Sequence, residues 1–436
     1  MISKPKGTYD ILPQDSRKWA KLEQAFRRVC EIANYEEIRT PIFEQYETFH
    51  RDQSDSSDIV NKETYDFIDR GNRKMTLRPE GTAGCVRAYI ENKMYVNNKV
   101  TKLFYFGPMF RYERPQKGRY RQFYQFGLEA YGPKSAALDV DIISTALMLF
   151  KAIGLKNLRV RINSLGDKES RDNYRQVLVD YFTKHIDSLC SDCKERLSKN
   201  PLRILDCKID KDNPVLKEAP LISDYLNEAS KAHFKEVLSL LDSLNITYVI
   251  DPHLVRGLDY YSDTVFEVEY LSEALGSQNV ICAGGRYNDL VKDLGGPDIK
   301  GVGLAFGMDR ILLALENENI SITRPKELHF FLITLGEKAK KEGSHLLYEA
   351  RQKGFKCDMS FSDSSLKAQF KEADNNNSIF TLILGEDELN NKTINVKNNH
   401  TKVQETVKMT DLFTYLLNYL NTCQNCGGKC HEKSSN

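Results

Sequence analysis

Long apolar runs are missing from this sequence of 436 residues. No stretch approaches the roughly eighteen consecutive apolar residues of a membrane-spanning helix, and the N-terminal sequence MISKPKGTYDILPQ contains no apolar signal core. The N-terminus also lacks the arginine-rich, acid-poor composition of a transit peptide. We therefore expect a cytoplasmic protein with no membrane partner, in which the ten cysteines are thiols or metal ligands and not disulfides.

A strong net charge is also missing, since 62 Lys and Arg residues nearly balance 61 Asp and Glu residues. The resulting charge of +1 argues neither for nor against a nucleic-acid partner, because a binder can keep its basic groups in one place. Three catalytic signatures do not occur in the sequence: the phosphate-binding GxxxxGKS/T loop, the zinc-protease HExxH and the hydrolase GxSxG. The sequence therefore excludes a P-loop nucleotide site and gives no sign of those two hydrolase classes.

The chain is long enough for two or three domains. Apolar spacing predicts a helix from Asp15 to about Asn34, and short runs rich in β-branched and aromatic residues predict strands after Ile38. These runs lack the regular alternation of strand and helix found in parallel sheets, so they favour an α+β fold with an antiparallel sheet and flanking helices. The predicted strands include Lys102–Phe106, Phe123–Tyr131, Leu158–Asn163 and Val265–Tyr270.

Composition divides the chain further. A helical, charge-rich stretch from about residue 166 to 227 indicates a subdomain inserted into a first domain of residues 1–325. Strand-like and helical segments then alternate in order, which is the pattern of a small α/β domain over residues 326–421. Residues 422–436 form a cysteine-rich tail.

The segment from Arg111 to Arg121 is strongly basic and lies between two predicted strands. Pro115 and Gly118 mark it as a loop. A solvated hairpin tip is one interpretation of this pattern. The other is a polyphosphate site, because guanidinium groups presented by one hairpin match phosphate oxygens bidentately. The charged residues of the segment are Arg111, Arg114, Lys117, Arg119, Arg121 and one acid, Glu113.

Three further segments carry candidate functional residues. In LVRGLDYYSDTVFEV, Arg256 precedes two tyrosines, which suits recognition of a carboxylate and a ring but equally suits a turn with core aromatics. In VGLAFGMDRILLAL, Arg310 is predicted near a helix start, as a surface charge or as a binding group. The glycine pair beginning at Gly301 is a weak dinucleotide signature because the third glycine is misplaced. Small residues that let a helix lie tightly on a sheet are the better interpretation of this segment. In LRPEGTAGCVRAYI, Glu80 and Thr82 lie at a strand-to-helix turn, where the carboxylate can cap the helix or bind an amine.

Together these segments resemble the histidyl-tRNA synthetase family over nearly the whole chain. The motifs GTYDILPQD, IRTPIFE, TLRPEGT, FGPMFRYERPQKGRYRQFYQFGLEA, LVRGLDYY, GGRYND and GVGLAFGMDR occur in the family's order. LVRGLDYY is the most specific of them, whereas the arginines of FRYE and FGMDR are shared by second-class synthetases generally. SSLKAQFKEAD and LILGEDEL resemble the family's anticodon-binding domain.

The resemblance implies a class II catalytic domain over residues 1–325 and an anticodon-binding domain over residues 326–421. The implied activity is that of a histidine–tRNA ligase, which forms histidyl-adenylate from L-histidine and ATP and transfers histidine to the 3′ end of tRNA(His). The alternative is the synthetase-like regulatory subunit of ATP phosphoribosyltransferase, which binds histidine without catalysis. That paralogue generally lacks the C-terminal domain and the active-site signatures that are present here.

The resemblance also implies how ATP is bound. Arg111 contacts the α-phosphate, Glu113 lies near the adenine and Phe123 stacks on it. Arg119 and Arg310 hold the γ-phosphate end. The implied cofactor is Mg²⁺ on the β- and γ-phosphates, held mainly by the nucleotide and water.

A second set of residues is implied at histidine. Arg256 lies beside both the α-phosphate and the histidine carboxylate and, with Arg111, forms the catalytic pair. The α-amino group is bound by Glu80, Thr82 and Gln125. The imidazole nitrogens are read by Glu129 and Tyr261, with Tyr260 and Tyr287 close by.

At the macromolecular level the resemblance implies a tRNA partner and a second copy of the chain. Arg114, Gln116 and Arg121 are expected to approach the acceptor stem, while the C-terminal domain reads unstacked anticodon bases. Second-class cores usually pair through the region of Pro41, so a homodimer is expected.

Two cysteine clusters are candidate zinc sites or, alternatively, sets of free thiols. The insertion contains Cys190, Cys193 and Cys207, and three thiolates with an imidazole in the tail suit a tetrahedral ion. The tail cluster consists of Cys423, Cys426, Cys430 and His431. A departure from the family pattern is RDQSDSSD at residues 51–58, where the family usually has a glycine-containing loop.

Overall fold

The computed structural model describes residues 2–51, 57–272, 275–276, 279–323, 327–362 and 364–425. The chain divides into two units, the first spanning Met1–Thr323 and the second Arg324–Asn436. No helix in the described ranges combines the length and the apolar character that crossing a membrane requires.

Strands of the first unit follow the runs of β-branched and aromatic residues. They are β1 (Glu36–Glu37), β2 (Phe43–Gln45), β3 (Tyr65–Ile68), β4 (Lys74–Leu77), β5 (Thr101–Phe110), β6 (Gln122–Gly132), β7 (Leu158–Ser164), β8 (Tyr248–Ile250), β9 (Ser262–Tyr270), β10 (Val280–Tyr287) and β11 (Lys300–Gly307).

A large sheet forms the centre of this unit. Among the described residues it contains eight strands, in the order β1-β5-β6-β11-β10-β9-β7-β8. The six inner strands pair antiparallel, and only the outer pairs β1–β5 and β7–β8 are parallel. This arrangement confirms the predicted α+β fold with an antiparallel core.

Helices of the first unit cover this sheet and connect its strands. They are α1 (Pro13–Ile32), α2 (Asp58–Lys62), α3 (Thr82–Glu91), α4 (Ala136–Ala152), α5 (Lys168–Lys184), α6 (Ser191–Lys199), α7 (Pro214–Lys217), α8 (Glu228–Ser243), α9 (Leu290–Asp293) and α10 (Met308–Asn317).

Helix α1 confirms the predicted N-terminal helix. Pro13 occupies its first turn, where the missing N–H costs no hydrogen bond. Its apolar stripe is buried, and the Phe26 ring lies 4.8 Å from the ring of Phe126 and 5.3 Å from that of Phe306. These contacts place α1 against β6 and β11 on one face of the sheet.

Helices α5, α6 and α7 occupy the stretch between β7 and α8 that was predicted to be an inserted helical subdomain. Their buried side chains, among them Tyr174, Phe182 and Leu197, belong to one apolar cluster with Tyr261 and Tyr287 of the sheet region. The insertion is therefore packed against the part of the sheet that carries the LVRGLDYY segment.

The second unit is a small α/β domain. Its sheet has the order β13-β12-β14-β15-β16, in which β13, β12 and β14 are parallel and β15 and β16 antiparallel. Its elements are β12 (Leu328–Thr334), α11 (Glu337–Gln352), β13 (Cys357–Met359), α12 (Leu366–Asn375), β14 (Ser378–Leu384), α13 (Glu386–Asn391), β15 (Thr393–Asn398), β16 (Gln404–Lys408) and α14 (Leu412–Asn425).

Candidate active site

The basic segment Arg111–Arg121 is the connection between β5 and β6. Its ends are held by the Arg111 N–H, which donates to the Arg121 carbonyl at 2.9 Å, and its tip by paired backbone bonds between Gln116 and Arg119. Gly118 has a φ of +74°, which a side chain would strain. The hairpin thus has a defined shape that presents its arginines in different directions.

Arg111, Glu113 and Arg119 turn toward the sheet. The Arg119 guanidinium forms an ion pair with the buried Glu113 carboxylate, and Arg111 lies 3.9 Å from the same carboxylate. The Arg111 guanidinium also lies 5.1 Å from the ring centre of Phe123. Arg114 and Gln116, by contrast, are exposed to solvent.

Arg310 lies in the first turn of α10, directly after β11, as the sequence predicted. Its guanidinium donates to the carbonyls of Gly118 at 3.2 Å and Val280 at 2.8 Å. Burial and the neighbouring Arg119 lower the pKa of Arg310 to about 10. The group therefore remains protonated near neutral pH and contributes a buried positive charge.

A cavity of about 420 Å³ lies between the hairpin and strands β9, β10 and β11. All of the predicted ATP-binding residues and most of the predicted histidine-binding residues line it. The predicted residues in its wall are Glu80, Thr82, Arg111, Glu113, Arg119, Phe123, Gln125, Arg256, Tyr260, Tyr261 and Arg310.

Three buried polar atoms in this wall have no hydrogen-bond partner in the described part of the chain. One of them, Nε of Arg119, forms an ion pair with Glu113, and the other two are Oε1 of Gln125 and Nε of Arg256. Buried polar groups in folded proteins are nearly always paired, so such atoms are typical of a site that a ligand completes. The Gln125 oxygen can accept a hydrogen bond and the Arg256 Nε can donate one.

Glu80 caps helix α3. Its Oε2 accepts the backbone N–H of Thr82 at 2.5 Å, and its Oε1 accepts that of Ala83 at 2.8 Å. This geometry is the capping alternative that the sequence left open. Each carboxylate oxygen still has a second lone pair, so capping and binding of an amine are compatible.

Glu129 lies behind the cavity wall and is fully buried. Its carboxylate accepts hydrogen bonds from the hydroxyls of Thr82 at 2.7 Å, Tyr105 at 3.3 Å and Tyr287. Burial raises the pKa of Glu129 to about 8, although the bonds from Tyr287 and Thr82 oppose the rise. Glu129 and Tyr287 are therefore brought to the site but not into its wall.

Two glycines of GVGLAFG make room for side chains of neighbouring strands, whereas the sequence suggested room for a helix. Gly303 pairs with Glu129 across the sheet, and a Cβ there would collide with the Glu129 carboxylate. A Cβ at Gly301 would likewise collide with the Tyr287 ring. These two glycines thus make room for the buried Glu129–Tyr287 pair, and they do not bind a dinucleotide.

Sequence reasoning missed several residues of the cavity. Glu267 and Glu269 point to the same side of β9 and line the cavity with Arg161 of β7. Glu267 forms an ion pair with Arg256, and Arg161 lies 3.5 Å from Glu267 and 3.0 Å from Glu269. The alternating charges of FEVE were the available signal, but the same pattern is typical of any half-exposed strand.

Glu267 and Glu269 are two of the carboxylates in the cavity wall that can take part in holding a divalent metal. Both carboxylates are partly neutralised by arginines, and a cluster of three or more potential ligands does not occur in the cavity among the described residues. This donor set fits an ion held mainly by phosphate and water, with one or two carboxylates at its edge.

The two predicted cysteine clusters have different outcomes. Cys190, Cys193 and Cys207 come together in the insertion, where Asp210 joins them. Cys426, Cys430 and His431 lie outside the described residues, as does the side chain of Cys423. Residues 52–56 of the RDQSDSSD departure lie outside them as well.

Comparisons with known proteins identify the family to which this chain is similar. A family model described as histidyl-tRNA synthetase matches residues 7–311, and one described as an anticodon binding domain matches residues 329–419. The histidine–tRNA ligase of Listeria innocua is 50% identical over 95% of this chain and 98% of its own length. That of Lysinibacillus sphaericus is 48% identical over 94% of this chain and 98% of its own length.

Solved structures give the same result. The apo histidyl-tRNA synthetase of S. aureus matches with a TM-score of 0.82 at 42% identity, covering 95% of this chain and 100% of that chain. A Bacillus halodurans protein described as an ATP phosphoribosyltransferase regulatory subunit/histidyl-tRNA synthetase reaches 0.63 at 22% identity over 88% of this chain and 98% of its own, which shows the fold alone. The chain therefore belongs to the histidyl-tRNA synthetase family, as a class II enzyme that uses ATP and a divalent metal and carries an anticodon-binding domain.

Proposed function

We propose that the cavity beside the β5–β6 hairpin is where this histidine–tRNA ligase joins histidine to ATP. One observation carries the proposal: the guanidinium groups of Arg111, Arg119, Arg256 and Arg310 line a single cavity. Four guanidinium groups around one cavity match a polyphosphate better than a neutral ligand. The known relatives favour the catalytic enzyme over the regulatory alternative.

The proposed ATP site uses the hairpin and the start of α10. Arg111 binds the α-phosphate, while Arg119 and Arg310 hold the γ-phosphate. Glu113 and Phe123 meet the adenine. The Phe123 ring already has a flat group against its face, because the Arg111 guanidinium lies 5.1 Å from the ring centre. A face that accepts a flat guanidinium group can also accept the flat ring of a base.

The proposed histidine site uses the turn before α3 and the wall of the sheet. Glu80, Thr82 and Gln125 bind the α-amino group, which supplies a donor for the unpartnered Gln125 oxygen. Arg256 binds the carboxylate through its unpartnered Nε. The imidazole nitrogens are read by Glu129 and Tyr261, with Tyr260 and Tyr287 adjacent to them.

The reaction that follows is a displacement at phosphorus. A carboxylate oxygen of histidine attacks the α-phosphorus of ATP, an O–P bond forms, and the bond to the bridging oxygen breaks to release pyrophosphate. Negative charge grows on the phosphoryl oxygens, where Arg111 and Arg256 stabilise it without reorganisation. The 3′-terminal ribose hydroxyl of tRNA then attacks the carbonyl carbon of the adenylate, and AMP leaves.

Mg²⁺ is the proposed divalent metal. Glu267 and Glu269 would help to hold it beside the phosphates, and once bound there it would neutralise charge on the leaving pyrophosphate. These carboxylates lie in the cavity wall with the arginines.

Selectivity for histidine would come from polar pairing at the imidazole. The ring offers one donor and one acceptor, and an analogue that lacks either leaves a buried partner unpaired. Such penalties can reach roughly 10⁴-fold. The proposed partners Glu129 and Tyr261 are both almost completely buried.

Binding of tRNA(His) is proposed at two places. Arg114, Gln116 and Arg121 of the hairpin approach the acceptor stem, and the first two are exposed as this requires. A second cavity of about 590 Å³ shares Arg256 and Tyr261 with the first, and its wall has more cations than acids, which suits the path of a nucleotide strand. The domain at residues 329–419 reads the anticodon.

A homodimer is proposed through the region around Pro41. Next to it, Ile42 and Phe43 before and on β2 are exposed, and so are Phe67 and Ile68 on β3. A cluster of four exposed apolar side chains on neighbouring strands is typical of a protein interface.

A cytoplasmic location is proposed because ATP and tRNA are available there.

The proposed function is tested by histidine-dependent exchange of labelled pyrophosphate into ATP by the purified chain. We expect exchange with histidine and none above background with any other standard amino acid. The control is Arg70→Ala, which removes an exposed arginine of the β3–β4 turn. This residue does not line the cavity, so the variant should catalyse the same exchange as the parent chain. Absence of exchange, or equal exchange with several amino acids, would contradict the assignment.

A further inference from the structure

We propose that the insertion carries a structural zinc ion bound by Cys190, Cys193, Cys207 and Asp210. The four side chains offer three sulfur atoms and one carboxylate oxygen, which all lie within 4.8 Å of one another. They are separate from the cavity that binds the substrates, and neither ATP nor histidine chemistry requires them.

The ligands come from two short segments. Cys190 directly precedes α6 and Cys193 lies in its first turn, while Cys207 and Asp210 follow the 3-10 turn at Pro201–Ile204. The two segments are also joined by a hydrogen bond from the Cys190 N–H to the Asp210 carboxylate at 3.0 Å. A Cys-x₂-Cys pair at a helix start, completed by two ligands from a later loop, is a usual construction of a zinc site.

The distances fit a tetrahedral ion. With Zn–S bonds of about 2.3 Å, the sulfur atoms at two corners of a tetrahedron are about 3.8 Å apart. The Sγ atoms of Cys190 and Cys207 are 3.7 Å apart. The separation is therefore that of two ligands of one ion, and it is much longer than the roughly 2.0 Å of a disulfide.

The four candidate ligands are largely shielded from water. Cys193, Cys207 and Asp210 are all more than nine-tenths buried, and the cysteines pack among apolar side chains such as Leu197 and Ile204. No lysine or arginine forms an ion pair with Asp210 in the described part of the chain. The buried carboxylate is held by hydrogen bonds, among them the one from the Cys190 N–H, and a divalent ion would supply the opposite charge that a buried anion needs.

Zinc is the ion that this donor set favours. Thiolates select soft or borderline metals over Mg²⁺ and Ca²⁺, and four protein ligands leave no open position for a substrate. A thiol pair formed by Cys190 and Cys207 would not account for the third sulfur and the carboxylate that face the same point.

The zinc site would hold part of the active-site wall. Cys207 stands between Asp206 and Lys208, and both of these line the substrate cavity. A metal that fastens Cys207 to the start of α6 therefore also fixes the backbone of its two neighbours. The bond between Cys207 and the metal would in this way connect the packing of the insertion to the position of the cavity wall.

The direct test is the zinc content of the purified protein. The tail cysteines are replaced first, so that any zinc bound there does not contribute to the measurement. In the full chain carrying Cys423→Ala, Cys426→Ala and Cys430→Ala, we expect one zinc per chain after dialysis against metal-free buffer. Adding Cys193→Ala and Cys207→Ala should abolish it. Adding Cys30→Ala should leave it intact, because Cys30 is equally buried in a different apolar cluster.

A second measurement does not depend on the stability of the double variant. Replacing zinc by Co²⁺ in the tail-substituted chain should give sulfur-to-metal charge-transfer absorption and the visible bands of tetrahedral cobalt, both weakened by Asp210→Asn or by loss of one thiol. The proposal is overturned by no zinc above background in the tail-substituted chain, or by zinc that persists without Cys193 and Cys207. A Cys190–Cys207 disulfide found by mass spectrometry without reductant would overturn it as well.

Discussion

Arg256 is held between two groups that fix its position. Its Nη1 forms an ion pair with Glu267, and its guanidinium lies 5.6 Å from the ring centre of Tyr261. Burial alone would lower the pKa of Arg256, but Glu267 and the nearby Tyr261, Tyr260 and Asp206 together outweigh it, and the pKa is raised. The cation is therefore permanent, and its Nε remains available to a ligand.

Replacement of Arg256 by alanine is expected to reduce kcat for pyrophosphate exchange by about 100- to 1000-fold. The reason is the loss of one preorganised donor to the charge that develops on the phosphoryl group, which costs about 3–4 kcal/mol. Thermal unfolding must be followed in parallel, because Glu267 loses a partner in the same variant. Exchange within a few-fold of the parent, in a folded variant, would remove Arg256 from the catalytic pair.

Glu129 gives the protein a predictable dependence on pH. Its folded pKa of about 8 lies above its ordinary value of 4.5 because the carboxyl is buried. Between pH 4.5 and about 8 the unfolded chain releases the Glu129 proton, whereas the folded chain keeps it. The contribution of Glu129 to the free energy of unfolding is therefore fully present below pH 4.5 and is lost as the pH rises toward 8.

The comparison of parent with Glu129→Gln isolates this effect. The variant cannot ionise, so its free energy of unfolding relative to that of the parent should increase with pH between about 4.5 and 8, by at most about 1.4 kcal/mol per pH unit. Urea unfolding at several pH values measures the difference. A difference that stays constant across this range would show that Glu129 titrates normally.

At the scale of elements, the β5–β6 hairpin combines two surfaces. Arg111 and Arg119 face the cavity, whereas Arg114 and Gln116 are exposed. The Arg121 guanidinium instead lies 3.8 Å from the ring centre of Tyr112, and its Nε donates to the Glu113 carbonyl. Of the three proposed tRNA residues, the first two therefore have the freer access to a macromolecule.

The double change Arg114→Ala and Gln116→Ala is expected to raise KM for tRNA by about tenfold or more, since one charge-assisted hydrogen bond contributes about 1.5–3 kcal/mol. Pyrophosphate exchange, which needs no tRNA, should remain. Lys117→Ala on the same hairpin serves as a matched test of whether any exposed cation there has the same effect. An unchanged KM for tRNA in the double variant would contradict the proposed contact.

The small sheet β2-β4-β3 provides a second prediction for an element. The Phe43 and Phe67 rings, 6.3 Å apart, are both exposed. In a twofold dimer each substitution acts twice, so Phe43→Asp should weaken association by about 3 kcal/mol or more, at least roughly 100-fold in Kd. Sedimentation at several concentrations measures this. Val249→Asp on β8, an equally exposed apolar position, is the control, and equal effects of both changes would reject this interface.

Individual elements were largely predictable because their signals are local. The apolar spacing of α1 and the β-branched runs of β5 and β6 depend only on neighbours in sequence, and the observed bounds differ from the predicted ones by a few residues. The hydrogen bond between Glu129 and Tyr287 joins residues 158 positions apart. No local pattern encodes such a pair, and its role was implied only by resemblance.

For the whole molecule, the division into two units makes a clear prediction. Every residue that lines the substrate cavity belongs to Met1–Thr323, so the fragment 1–323 should keep histidine-dependent pyrophosphate exchange. It should lose tRNA affinity by about tenfold or more, since each stacked anticodon base contributes about 1–3 kcal/mol. Exchange and aminoacylation by the fragment measure the two effects separately. Unchanged affinity for tRNA would show that the second unit does not read the anticodon.

The sequence predicted the arrangement of the whole molecule less completely than it predicted the individual elements. Alternating strands and helices predicted the parallel part of the second unit, but β15, β16 and α14 were not anticipated. The polar residues of β15 and β16 resemble those of loops, whereas the apolar spacing of α14 was an available signal. Asp206 and Lys208 were missed in the same way. They belong to a charge-rich insertion, where only the packed structure distinguishes a cavity wall from a solvated turn.

The capping of α3 by Glu80 has a consequence for the thermodynamics of amino-acid binding. The carboxylate is already immobilised by the N–H groups of Thr82 and Ala83. The entropy of fixing a glutamate side chain, on the order of 1–2 kcal/mol, is therefore lost when the chain folds and not when histidine arrives. Capture of the amino group is preorganised, and affinity for histidine depends on the integrity of a helix terminus as much as on the contacts made to the ligand.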